Sequence, residues 1–252
     1  MLKLINVHCH LLNFQYISPE CLKSRSVALA FFVRHRRTRM VVRLISAGVP
    51  KRKLHRLHEL YDIMEMDIQQ VADRLRQEME PAGIQFAVPL VMDLGRAAFT
   101  MNPRIPFTFQ VKQISDVSLR HFGVMMPSVM VDPRRPRASD MLIRCLEELG
   151  FLGVKMYPGL GYHPSPGSIY NEPQTNDELR KIYTYCESHL IPITTHCSPG
   201  GAYSADILKV KAVRSELTNP SAWAGVLKEF PQLYLDLAHF GQDLIHIKEP
   251  GY

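Results

Sequence analysis

At 252 residues, with 46% apolar and 21% charged positions, the chain has the composition of a globular protein and excludes collagen-like, coiled-coil and disordered classes. The length suits one α/β barrel, one large sandwich or two smaller domains, so the order of elements must decide. The net charge of +6 is local: residues 23–58 hold eleven Lys or Arg and no Asp or Glu, which leaves the rest of the chain net acidic. Such a segment reads as a solvated surface insertion, or as a surface for an anion or an acidic partner; with the rest of the body acidic, nucleic acid is not the expected partner.

No run of about 18 uncharged apolar residues is present, and the start MLKLINVHCHLL lacks a charged leader and a small-residue cleavage site. A cytoplasmic protein with no membrane association is expected. Cys9, Cys21, Cys145, Cys186 and Cys197 form no C-x-x-C pair, which argues for reduced thiols over a disulfide framework or a cysteine zinc module.

Leu2 to His10 reads as a strand buried on both faces, which suggests a parallel sheet. Leu54, Leu57, Tyr61, Met64, Ile68, Val71, Leu75 and Met79 recur at helical spacing and predict one long helix ending before Pro81 and Gly83. Strands follow over Ile84 to Met92 and His121 to Val131. Ser139 is the expected cap of a helix through Leu142, Leu146 and Leu149, closed by Gly150. After a strand over Leu152 to Tyr157, Thr175-Asn176-Asp177-Glu178 has the form of a capping box opening a helix to about His189. Ile191 to His196 is the fifth strand, a helix starts at Pro220, and Leu233 to His239 is the sixth strand. Six strands alternating with helices or long connections predict right-handed β-α-β units around a parallel sheet.

Histidines gather where these strands end: His8 and His10 on the first, His163 beyond the fourth, His196 on the fifth and His239 on the sixth. The carboxyl edge of a parallel α/β sheet or barrel is where ligands bind and catalytic side chains are mounted. Residues i and i+2 of a strand share a face, so His8 and His10 present two imidazoles side by side. The fourth strand places Lys155 and Tyr157 together on the face opposite Val154 and Met156. A lysine there must be paired, modified or solvated, and it suits an anionic substrate. Converging neutral imidazoles suit Zn²⁺ or a similar divalent ion with an open position for water.

The segments NVHCHLL, GVKMYPGLGYHP, ITTHCSPGG and LDLAHFGQ, in that order, resemble the amidohydrolase superfamily of metal-dependent TIM barrels, in its amidohydrolase-2 branch of hydrolases and non-oxidative decarboxylases. The resemblance runs from Leu2 to about Gln242, interrupted by the basic segment. It implies that His8, His10 and His196 ligate the metal, zinc foremost and manganese otherwise. It implies that His239 binds a second metal or polarises substrate and water, and that Lys155 is a bridging lysine in binuclear members and a free ammonium in mononuclear ones. The family also places an aspartate at the end of an eighth strand, whereas only Asp243 and Glu249 follow His239 here.

The expectation is one α/β domain over residues 1–252, an incomplete (β/α) TIM-type barrel of about six of eight strands, with a basic insertion at about 23–58. The expected activity is metal-dependent hydrolysis of a small carbonyl compound. The alternatives are a decarboxylase on the same scaffold, or an inactive barrel with a basic partner-binding surface. The missing eighth-strand aspartate further predicts weak activity, and unpaired edge strands a tendency to form homo-oligomers.

Overall fold

The computed structural model describes residues 4–17, 59–97, 103–204, 207 and 210–239. Within them six parallel strands lie side by side in chain order: β1 (Leu4–Cys9), β2 (Ile84–Val91), β3 (Ser128–Met130), β4 (Gly153–Met156), β5 (Ile193–His196) and β6 (Leu235–Ala238). The helices between them are α1 (Ile68–Met79), α2 (Phe107–Arg120), α3 (Ala138–Glu148), α4 (Pro173–Ser188), α5 (Lys211–Thr218) and α6 (Ala224–Glu229). This is an α/β fold of the barrel kind, left incomplete at six strands. The basic insertion lies outside the described residues, as do Asp243 and Glu249. No described helix is long and apolar enough to cross a membrane.

The central strands are the apolar heart of the molecule, with Val129, Met130, Val154, Met156 and Ile193 at most 1% exposed. Each helix sends one stripe toward them. On α2, Phe107, Val111, Ile114 and Val117 are buried at intervals of four and three residues; on α4, Thr175, Leu179, Ile182 and Cys186 do the same.

Several local expectations are corrected. The long helix over 54–79 breaks: residues 59–65 are helical, and a new helix starts after Asp67. Asp67 Oδ1 accepts from Gln70 N at 2.8 Å while Gln70 Oε1 accepts from Asp67 N at 3.0 Å, a reciprocal cap that helical spacing alone conceals. The strand expected from His121 shrinks to Ser128–Met130 plus a bridge between Met125 and Ala87. Residues 121–124 instead form a turn with Gly123 at φ 78, because Val124 N and Met125 N both bond to His121 O. Helices α2 and α5 were not anticipated.

Ser139 is not the cap of α3, which starts after Arg137 at φ 58. The Ser139 N–H is satisfied from another helix, by Glu178 Oε2 at 2.7 Å. Glu178 is thereby spent, so the expected box at Thr175–Glu178 does not form and α4 starts one turn earlier behind Glu172, with Pro173 in its first turn. Finally, β1 is not buried on both faces. It pairs only with β2, and Leu4, Ile5 and Val7 are 45%, 57% and 55% exposed.

Candidate metal and substrate site

Register decides which side chains meet inside the sheet. Lys155 pairs with Met130 on one side and Thr194 on the other, and Thr194 pairs with Asp236. In-register residues of parallel strands project to the same side, so Lys155, Thr194 and Asp236 form one layer. His196, paired with Ala238, stands two residues and about 7 Å nearer the carboxyl edge.

At that edge four imidazoles form a chain of contacts. The His8 and His10 rings are 5.4 Å apart, His8 and His239 5.0 Å, and His239 and His196 4.8 Å. Thus the ends of β1, β5 and β6 bring together the histidines picked out from their motifs. His239 follows β6 directly with φ 67, a left-handed residue that turns the chain out of the sheet and leaves its ring exposed. His163 is not among them: its Nδ1 accepts from Ser165 N at 3.0 Å and its N–H donates to Asn171 Oδ1 at 2.7 Å, in a loop of its own.

Two of the rings are held by backbone carbonyls. His10 Nδ1 lies 3.0 Å from Leu90 O, and His196 Nε2 lies 2.8 Å from Gly200 O and 3.1 Å from Ser198 O. Tyr157 stacks on His196 with ring centres 4.2 Å apart and planes 10° from parallel, and its hydroxyl accepts from Ala202 N at 2.9 Å. These carbonyl contacts were missed by sequence reading, since a carbonyl carries no residue signature. Asp236 was also missed, although alternation along LDLAHFGQ places it on the interior face.

Beneath the imidazoles sits Lys155, 1% exposed, whose Nζ is buried and, among the described residues, without a hydrogen-bond partner. Burial pulls its pKa down from 10.5 to about 8, opposed by Asp236 and Cys197. Burial and then the Lys155 charge push His8 to about 4. His196 also falls to about 4, by burial and the charges of Lys155 and His239 against the pull of the Gly200 carbonyl. His10 and His239 are lowered too, by burial first. All four imidazoles are therefore neutral at pH 7, the form in which they accept a proton or ligate a metal.

That donor set fits a borderline divalent ion in kind, and the His10 Nδ1 contact is the outer-shell bond typical of a ligating histidine. Among the described residues, however, no three His, Cys, Asp or Glu side chains converge closely enough to enclose an ion as they stand.

A second polar assembly ties the ends of β2 and β3. Asp93 accepts from Arg135 Nη2 at 2.7 Å and also from its Nε, while Asp132 accepts from Arg134 Nε at 2.9 Å. Both carboxylates are 1% exposed and are taken up by their arginines together with backbone N–H groups, so this assembly is structural.

The fold recurs in solved proteins. A dihydroxybenzoic acid decarboxylase from Polaromonas sp. JS666, with bound manganese and the inhibitor 2-nitroresorcinol, aligns with TM-score 0.55 and 16% identity over 97% of this chain and 67% of its own. A 2,6-dihydroxybenzoate decarboxylase from Rhizobium aligns with TM-score 0.52 and 17% identity over 100% and 74%. A TIM-barrel protein from Bordetella bronchiseptica aligns with TM-score 0.53 and 18% identity over 97% and 71%. The chain spans 64% of the length of a solved Staphylococcus aureus protein of similar fold, and 61% to 74% of seven further solved structures. No curated protein matches the sequence. At such identities these likenesses speak for the fold alone, but the amidohydrolase family model matches residues 5–247, taking in every strand and all four clustered histidines. By that match the chain belongs to the amidohydrolase family.

Proposed function

We propose that the chain is a metal-dependent enzyme acting on a small carbonyl- or carboxylate-bearing molecule, with hydrolysis as the first reading. The observation that carries this is a cluster of neutral imidazoles directly above a buried ammonium that lacks a partner. His8, His10 and His196 would hold the ion, zinc or manganese. When bound, the ion supplies Lewis acidity and a water of lowered pKa. His239, exposed and neutral, would serve as general base and then general acid, holding a proton and returning it to the leaving group. The Lys155 ammonium binds and orients an anionic group of the substrate, which in turn satisfies Nζ. Tyr157 lines the same face, its hydroxyl proton free to donate since the oxygen accepts from Ala202 N.

The second reading is non-oxidative decarboxylation, favoured by Lys155, whose unpaired charge suits a carboxylate, and by the decarboxylases among the solved structures of similar fold. Incubation of the Zn²⁺- or Mn²⁺-supplied chain with hydroxybenzoates and with small amides and lactones in ¹⁸O-water separates the two. Hydrolysis places one water oxygen in the product. Decarboxylation releases CO₂ and leaves the aromatic product free of water oxygen. Neither outcome from any substrate, with metal bound, rejects the proposal.

A further inference from the structure

Carbonyl oxygens only accept hydrogen bonds, so an imidazole nitrogen facing two of them must carry the proton. His196 Nε2 faces Gly200 O at 2.8 Å and Ser198 O at 3.1 Å. Its proton is on Nε2 and its lone pair on Nδ1. His10 is the reverse, with Nδ1 on Leu90 O and the lone pair on Nε2. The two rings thus carry their lone pairs on different atoms.

The loop that imposes this on His196 is itself tightly held. Tyr157 lies flat on the imidazole and takes the Ala202 N–H on its hydroxyl, fixing ring and loop together. Tyr203 donates to Pro199 O, and the Arg214 guanidinium of α5 sits 5.3 Å from the Tyr203 ring centre. Gly201, at φ 107, passes so close that a Cβ there would collide with the Tyr157 hydroxyl and lie 3.2 Å from His196 Nε2. No other residue fits between them.

We propose that residues 198–202, clamped by Tyr157 and dependent on Gly201, form a tautomer lock that makes Nδ1 the reactive nitrogen of His196, with Tyr157 as a positioning residue. The lock deepens the metal-site reading and rests on it only for the use to which Nδ1 is put. A loose ring would divide between two tautomers and present the wrong atom part of the time, whereas the locked ring is ready for an ion or a proton. Outer-shell partners of this kind are worth 10- to 100-fold in metal affinity.

The test is long-range ¹H–¹⁵N NMR of the metal-free full chain labelled at histidine, with the His196 signals assigned by their loss in His196→Gln. Wild type is expected to show a protonated Nε2 and a bare Nδ1 at His196, and the opposite at His10. Tyr157→Phe keeps the stack but frees the loop, and Gly201→Ala displaces it. Both should turn His196 into a tautomer mixture, leave His10 unchanged, and lower Zn²⁺ affinity at least tenfold. A protonated Nδ1 at His196 in wild type overturns the proposal even if neither variant folds. So does a folded Tyr157→Phe chain with the wild-type spectrum. A wild-type chain with the expected tautomers that takes up neither Zn²⁺ nor Mn²⁺ upholds the lock and rejects the metal reading instead.

Discussion

Replacing Lys155 by Met should make the metal-free chain more stable at neutral pH, and the gain should vanish in alkali. Lys155 is 1% exposed, its Nζ has no partner, and its pKa is drawn from 10.5 to about 8. Between those two values the unfolded chain binds a proton that the folded chain does not, so wild-type stability rises with pH across the window. Below about pH 8 the full penalty applies. At 1.36 kcal/mol per pH unit, the fall to about 8 costs the fold about 3 kcal/mol. Methionine has a similar length and no charge, so the variant avoids that cost without leaving a cavity. For a chain of this size about 3 kcal/mol corresponds to a Tm higher by roughly 6–12 °C. Urea unfolding with chelator, at pH 7 and pH 10, on both proteins is the assay. The variant's advantage should be near its maximum at pH 7 and mostly gone at pH 10. A variant less stable than wild type at pH 7, or an advantage independent of pH, refutes the reasoning and means that Nζ has a hidden partner.

The lowered imidazoles carry a second pH signature. With His8 and His196 near 4, Zn²⁺ uptake at pH 5.5 should stay within about threefold of that at pH 7.5, and the metal-free chain should lose stability as pH falls from about 6.5 towards 4, where only the unfolded chain binds the extra protons; titration calorimetry and acid unfolding check the two. Asp93→Ala strips Arg135 of its carboxylate and leaves Gly95 N and Asp132 N without an acceptor, which should cost about 3 kcal/mol, the low end for a buried pair because Arg135 is partly exposed. Gly153→Ala puts a Cβ 2.8 Å from Pro192 O at the junction of β4 and β5, and denaturant unfolding should show a loss of about 1–3 kcal/mol. Glu178→Gln weakens the bonds to Ser139 N and Lys181, and a loss of about 1 kcal/mol is expected by the same measurement.

The linear chain determined the features that depend on neighbours in sequence. Apolar runs ending in histidine specified β5, β6 and their place in a parallel sheet, and the i, i+2 spacing of His8 and His10 set two imidazoles on one face. Only the tertiary structure decided what depends on residues far apart. Ser139 has the sequence of a cap, yet its N–H is met by Glu178 39 positions away, and that long-range bond also dissolves the local capping box of α4. β1 has the sequence of a doubly buried strand, yet burial is set by what packs against it, and among the described residues it pairs with β2 alone. In the site the side chains were legible and the carbonyls of Leu90, Ser198 and Gly200 were not, because a backbone acceptor is present at every residue and only the path of the folded chain aims it at a ring. The same holds for Lys155: its position on β4 was readable, but the enclosure that lowers its pKa arises from strands and imidazoles brought around it by the whole fold.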